Sequence, residues 1–270
     1  AAHVADVTTP VTRAAGMGRL SAASNIGSIL GPGLAGLLAG LSLLAPLVFA
    51  AVATGATAVL IHRTVKHLPP AHAPSRSAQG LRLLDPRYRA YLLLGLAVFI
   101  GYAVVQQTLA FRIQDTLQLG TRETAQVFGY TMIASAAASL FAQTVIVQRF
   151  GLPPMTLLRS GMPLLVLAFA LLVFAESLPG FTAAMTLVGL GLGLCAPGFT
   201  AATSLAVSTR EQGAAAGIST AIPALGFILG PLIGTWLYQQ DPHYPYVLTT
   251  LLMVPASVLA FRVHQHAHAE

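Results

Sequence analysis

Charge is scarce in this sequence. Its 14 basic and 8 acidic residues make up only 8% of a 270-residue chain. A soluble domain carries about 25% charged residues, so a charged, water-facing surface is excluded. Cysteine is scarcer still: Cys195 stands alone, which excludes an intrachain disulfide and a cysteine-built metal cluster. Lying in an apolar run, it is expected to be a small packing residue. No glycine-rich phosphate loop leads into a lysine, so ATP-driven transport has no support within the chain. The basic residues form no concentrated patch with interleaved aromatics, and a nucleic-acid partner is not expected. His264, His266 and His268 alternate at one end, and His62, His67 and His72 lie further upstream. No Asp, Glu or Cys cluster completes a site around them, so solvated histidines, no metal and no cofactor are expected. A charged segment followed by a short apolar stretch is missing at the start, so no signal peptide is expected.

What is present is apolar: hydrophobic residues make up 55% of the chain. They fall into runs at 20–40, 43–61, 91–111, 125–147, 160–175, 180–205, 213–238 and 245–261, none containing Asp, Glu, Lys or Arg. Most reach the roughly 17–25 residues that a membrane-crossing helix needs. The fifth is short, but it extends back to Pro153 with Arg159 inside it. The expected fold is an all-α membrane protein with eight transmembrane helices. With the N-terminus in the cytoplasm, one side of the membrane carries twelve basic residues and the other only Arg112 and Arg122. This positive-inside bias predicts that both termini are cytoplasmic, and the net charge of +6 is then a matter of topology. Thirteen arginines against one lysine suit a bacterial gene, and hence a multi-pass protein of the plasma (inner) membrane.

An ungapped internal repeat runs at an offset of 199 residues. Gly18, Gly27, Gly31 and Pro32 match Gly217, Gly226, Gly230 and Pro231. Ile29-Leu30 matches Ile228-Leu229. Pro46, Val48, Val59-Leu60 and Arg63 match Pro245, Val247, Val258-Leu259 and Arg262. The copies are six spans apart, so both cross the membrane in the same direction, a parallel repeat of two halves. Glycines at this spacing make a flat helix face that another helix can approach closely. Each proline removes a backbone hydrogen bond and bends its helix.

Gly18-x8-Gly27-x3-Gly31-Pro32-x2-Ala35-Gly36 resembles the antiporter motif in the fifth helix of major facilitator superfamily drug exporters. Ala35 stands where the family has glycine. The second copy, ending Gly230-Pro231-Leu232-Ile233-Gly234, falls where the family's eleventh helix would be. Leu84-Asp85-Pro86-Arg87-Tyr88-Arg89 resembles the family's lead-in to the seventh helix, and Asp6-Val7-Thr8-Thr9-Pro10 the loop before the fifth. Gln148-Arg149-Phe150-Gly151 resembles a worn copy of the loop motif after an even-numbered helix, with Arg149 and Gly151 kept and Gln148 where Asp is usual. The resemblance implies helices five to twelve of a twelve-helix transporter. Residues 1–61 would be the last two helices of the N-terminal half, 62–90 the cytoplasmic linker and 91–270 the C-terminal six-helix half.

Proton-coupled exporters of this family usually carry a membrane-embedded carboxylate, and none of the expected spans has one. The resemblance therefore implies either a coupling acid upstream of this chain or a member that uses no buried acid at all. Asp115 and Glu123 are expected as solvated loop charges at span ends. Polar, uncharged residues are candidates for the substrate path: Tyr102 and Gln106, four apart on one helix face, with Gln107 beside them, and Tyr130 on the next span. A glutamine in lipid without partners is costly, so Gln106 and Gln107 should face a cavity or another helix. Ser135 and Gln143 are weaker candidates, as is Asn25 for a contact between the halves. Phe111 and Phe199 would line an apolar pocket or face lipid. Thr200, Thr203 and Ser204 are expected to bond their own helix backbone, and Ser208-Thr209-Arg210-Glu211 to form a capping box.

The expected function is secondary active export of small amphipathic molecules, in the manner of multidrug efflux, by alternating access and coupled to protons. Such a protein is not an enzyme; its partners are the small-molecule substrate, protons and the bilayer. Two rivals stand beside it: a same-fold transporter of a metabolite or sugar, and a polytopic membrane protein without transport activity.

Overall fold

A computed structural model of the chain describes residues 27, 31, 33–42, 44–64, 85–207 and 211–263. Gly18, Asn25, Pro32, the interior of the 62–90 segment, Ser208 to Arg210 and the terminal histidines lie outside the described residues. So do the motif at 6–10 and the arginines before residue 27.

Seven helices are long and apolar enough to cross a membrane. They are α1 (Ala45–Thr64), α2 (Arg89–Leu117), α3 (Thr121–Phe141), α4 (Pro154–Phe174), α5 (Leu178–Leu205), α6 (Gln212–Gln240) and α7 (Tyr244–Arg262). A further stretch, 33–39, is helical within the first expected run. No strand occurs among the described residues. Local chemistry sets the boundaries. Pro154 sits in the first turn of α4, where its missing N–H costs nothing. Ser177 caps α5 by accepting from the Gly180 N–H. α3 widens into a π-helical turn at Ala142–Val147 and ends after Phe150 at Gly151, whose φ of 54° is left-handed. Glycine takes this conformation without a Cβ penalty, and the Gly151 N–H closes the helix on the Val147 carbonyl at 3.2 Å. The repeat is visible in the boundaries: α1 begins at Ala45 and α7 at Tyr244, 199 residues apart.

One boundary differs from expectation. The charges after Phe111 were to end the third span, yet α2 continues through Arg112 and Asp115 to Leu117. The helix persists because both charges have partners. Arg112 is buried and bonded to His243, and Asp115 accepts from the Tyr238 hydroxyl at 2.5 Å. Asp115 is thus solvent-exposed, as expected, but it lies on the helix and bonds α6 instead of standing in a loop. Glu123 is exposed and accepts from the Gly120 N–H at the start of α3.

Helices α2 to α7 form a bundle around a core that includes Leu94, Ile113, Met162, Phe169, Phe181 and Tyr246. Small residues set the approach of its helices. A Cβ on Gly161 of α4 would stand 2.6 Å from Cys195 Sγ on α5, and one on Gly191 of α5 would stand 2.7 Å from Leu165 of α4. Lipid gives apolar helices no hydrophobic reason to associate, so close backbone packing supplies the attraction instead. Cys195 is a fully buried packing residue, as expected. α1 differs: it has no buried residue and is apolar all round, which suits only lipid or further helices.

Candidate functional site

Two glycine seams run along the bundle. In the second motif copy, Gly226, Gly230 and Gly234 of α6 lie against α2. A Cβ on Gly226 would stand 2.7 Å from Phe99 Cβ and 3.0 Å from its carbonyl oxygen, and one on Gly234 would stand 3.2 Å from Thr108. One on Gly230 would overlap Ala103 and come within 3.0 Å of the α2 backbone. Contact positions rise together on both helices, so α2 and α6 run parallel. Gly217 meets open space, and Pro231 is half-buried within the continuous helix.

The first copy uses other positions. Gly33, Gly36 and Gly40 lie against α3 in the antiparallel sense. A Cβ on Gly33 would stand 2.7 Å from Ile133, and one on Gly40 would stand 2.5 Å from Gln126 Nε2. One on Gly36 would overlap the Gly129 backbone, a glycine-on-glycine crossing. Arg122 of α3 closes the seam by donating to the Gly40 carbonyl, with Nε at 3.0 Å. Gly27 and Gly31 are exposed and meet nothing within 4 Å.

A small recess opens where α2, α3 and α5 meet, lined by Tyr102, Met132, Ser135, Ser139 and Gly189 among others. Tyr102 and Ser135 are sequence candidates. Ser139 is not, although Ser135 and Ser139, four apart, face Gly189 and Gly193, also four apart. That matched spacing was the available signal. The π turn of α3 begins three residues after Ser139, and such turns recur at functional positions. Gln143 within it donates to Ser139 Oγ at 3.2 Å. Tyr102 also stacks edge-to-face on Phe227 of α6, ring centres 6.1 Å apart.

The other candidates do not line the recess. Gln106 is half-buried and Gln107 exposed, without a hydrogen-bond partner for either side chain among the described residues. Tyr130 of α3 is half-exposed. Phe199 is buried against Phe99 and Gly95, so it is a core residue and not pocket lining, whereas Phe111 is exposed beside Tyr238. Thr200 and Thr203 bond the Ala196 and Phe199 carbonyls of their own helix, as expected.

Both ends of the bundle carry built charge contacts. At one end Arg87 reaches Asp85 at 2.8 Å and Glu211 at 2.9 Å, tying the start of α2 to the start of α6. The Arg87 side chain, and then its backbone N–H, hold the Asp85 carboxyl below the usual carboxylate range. Arg159 of α4 donates to the Ala260 and Val263 carbonyls and so caps α7. Arg149 is exposed in the last turn of α3, beside Gly151. At the opposite end Arg112, His243 and Asp241 form a chain of contacts that the sequence reading missed. Arg112 and Arg122, the two exceptions to the charge bias, are thus both held by built contacts.

Comparison with known proteins fits this architecture. The family model described as Major Facilitator Superfamily matches residues 1–222 and 132–270. The chain is 27% identical over 274 residues to Multidrug resistance protein 1 of Bacillus subtilis (strain 168), covering 99% of this chain and 69% of that protein. It is 28% identical over 265 residues to Multidrug resistance protein 2 of the same strain, covering 94% and 65%. With the Tetracycline resistance protein, class C, of Escherichia coli it shares 28% over 252 residues, covering 89% and 62%. The chain thus spans about two thirds of the length of these relatives. Among solved structures, it aligns with a bacterial homolog of the human lysosomal transporter Spinster at a TM-score of 0.63 and 14% identity, covering 97% of this chain and 72% of that one. The human organic anion transporter MFSD10 aligns at 0.61 and 21% identity, covering 96% and 66%. At these identities the structures speak for the fold alone. With its whole length matched by the family model, the chain belongs to the Major Facilitator Superfamily, whose members are membrane transporters and not enzymes.

Proposed function

We propose that the chain is the larger part of a secondary active exporter of small amphipathic molecules, working by alternating access of two six-helix halves and coupled to protons. Residues 1–61 are the last two helices of the first half, 62–90 the cytoplasmic linker and 91–270 the whole second half, with both termini of this chain in the cytoplasm. The observation that carries this reading is the way the two motif copies divide their contacts. The second copy packs inside its own bundle through Gly226, Gly230 and Gly234. The first packs across to α3 through Gly33, Gly36 and Gly40, and leaves Gly27 and Gly31, the counterparts of Gly226 and Gly230, without a neighbour within 4 Å among the described residues. A Gly36–Gly129 crossing interlocks no side chains and so suits two bodies that rock against each other. The relatives named for multidrug and tetracycline resistance favour export of amphipathic compounds.

In this reading Tyr102, Gln106, Gln107 and Tyr130 lie toward the substrate path. The unpartnered amides support that role, since an amide without a partner is costly in lipid. Efflux of a fluorescent amphipathic cation tests the function. Cells expressing this chain alone should not export it. Cells expressing the chain with its preceding four spans should, and a protonophore should abolish the export. Robust efflux by the 270 residues alone would overturn the two-half reading. Protonophore-insensitive efflux would overturn the coupling. Uptake of a sugar or metabolite without efflux would favour the same-fold alternative.

A further inference from the structure

Arg112 is the one charged side chain buried among the described residues, at 6% exposure. Its Nη2 lies 2.8 Å from His243 Nε2, and its Nε is buried with no partner. No carboxylate forms an ion pair with it among the described residues. His243 sits in the turn between α6 and α7. Its Nδ1 lies 2.9 Å from Asp241 Oδ1, which also accepts the His243 backbone N–H at 2.7 Å. A guanidinium only donates and a carboxylate only accepts. The ring nitrogen facing Asp241 therefore carries the hydrogen, and the one facing Arg112 offers a lone pair. The observed contacts describe a neutral imidazole.

We propose that Asp241, His243 and Arg112 form a proton-sensitive latch, which ties the end of α2 to the α6–α7 turn while His243 is neutral and releases when His243 binds a proton. A proton on Nε2 would set N–H against N–H and bring a second positive charge to Arg112 at contact distance. Arg112 would then lose its acceptor at Nη2 while its buried Nε already lacks one, a costly state that water entry or movement of the turn relieves.

The surrounding groups set the direction. From α2, Arg112 opposes the imidazolium, while Asp115, three residues on, is engaged by Tyr238 of α6 at 2.5 Å. From α7, the Tyr246 hydroxyl is occupied by Thr108 of α2 at 3.2 Å, and Tyr244 is exposed. Glu176, in the α4–α5 turn at the same end, makes no ion pair among the described residues. Asp241 favours the imidazolium. Its carboxyl is held below the usual range, first by the His243 backbone N–H and then by the ring, so it is an anion throughout. Asp241 thus tunes the pH of release, and Arg112 dictates that release comes with acid. The latch joins the same two helices as the Gly226–Gly234 seam, so its release frees one end of that seam. It stands apart from the question of what is transported.

Hydrogen exchange of the 270-residue chain in lipid nanodiscs tests it. After correction for the pH dependence of chemical exchange, protection of amides 241–247 should fall between pH 7.5 and pH 5. The fall should be roughly tenfold, as for the loss of one charge-assisted hydrogen bond. His243→Gln, which offers Arg112 a carbonyl acceptor at every pH, should abolish the fall. Arg112→Gln should leave the turn poorly protected at both pH values. Equal protection of the unmodified chain at the two pH values overturns the latch without any variant. So does a fall of the same size in His243→Gln.

Discussion

The two glycine copies share a spacing and differ in what they touch. In the second, positions 226, 230 and 234 meet α2, while Leu232 on another face is exposed. In the first, Gly33, the counterpart of Leu232, is buried against α3, while Gly27, Gly31 and Ala35, the counterparts of 226, 230 and 234, are exposed. Each copy therefore uses the face that the other leaves open. A helix of this kind has two close-packing faces, one within a bundle and one between bundles, and the spacing alone does not say which is filled.

Substitutions can break this comparison. The largest effect is expected at Gly230, where a leucine has to displace the α2 backbone inside the main bundle. Gly230→Leu should cost about 2–3 kcal/mol of stability by overpacking, measured by reversible unfolding in detergent. Gly36→Leu meets a still closer backbone at Gly129. Because only the 33–40 stretch depends on that crossing, it should detach the stretch, read as lost amide protection at 33–42, with α2 to α7 intact. Unfolding of the whole bundle by Gly36→Leu would remove the distinction between the seams.

Arg122→Ala removes the charged donor from the Gly40 carbonyl and should cost about 1–2 kcal/mol, confined to the first seam and visible as faster exchange at 38–42. Gly151→Ala places a Cβ on a left-handed residue, φ 54°, and should cost about 1 kcal/mol with no change at either seam. A smaller effect is expected at the Arg87 clamp, which is exposed. The folded-state pKa of Asp85 is depressed. Its contribution is therefore complete above the ordinary carboxylate value of about 3.9 and is lost as pH falls through the lower folded value. The thermal midpoint should show no pH dependence from this pair between pH 5 and 8 and a decline below about pH 4 that Asp85→Asn reduces. Smallest of all, Gly27→Leu should change stability by less than about 0.5 kcal/mol, since nothing stands within 4 Å. The same substitution in a chain extended by its preceding spans should become as costly as Gly230→Leu, which would sharpen the two-face reading.

Much of the fold was legible because each membrane helix answers to the bilayer by itself. The run at 160–175 extended back to Pro153 on length grounds, and α4 begins at Pro154. The repeat predicted equivalent helices, and α1 and α7 begin 199 residues apart. The site was less legible. Tyr102 and Ser135 line one recess that Gln106, Gln107 and Tyr130 do not, because period alone places residues on a face without saying which helix it meets. Phe199, expected to line an apolar pocket or to face lipid, is instead enclosed by Gly95 and Phe99.

Taken alone, the sequence determined where the spans lie, that they repeat in parallel and that glycines would let helices approach. These properties follow from the length and polarity that a hydrocarbon layer imposes on every segment separately. Only the tertiary structure decided which face of each motif copy is filled, and that Arg112 meets a histidine 131 residues away instead of solvent. Both depend on which neighbour arrives at a given surface. A buried cation is tolerated in a helix only when another element brings it an acceptor.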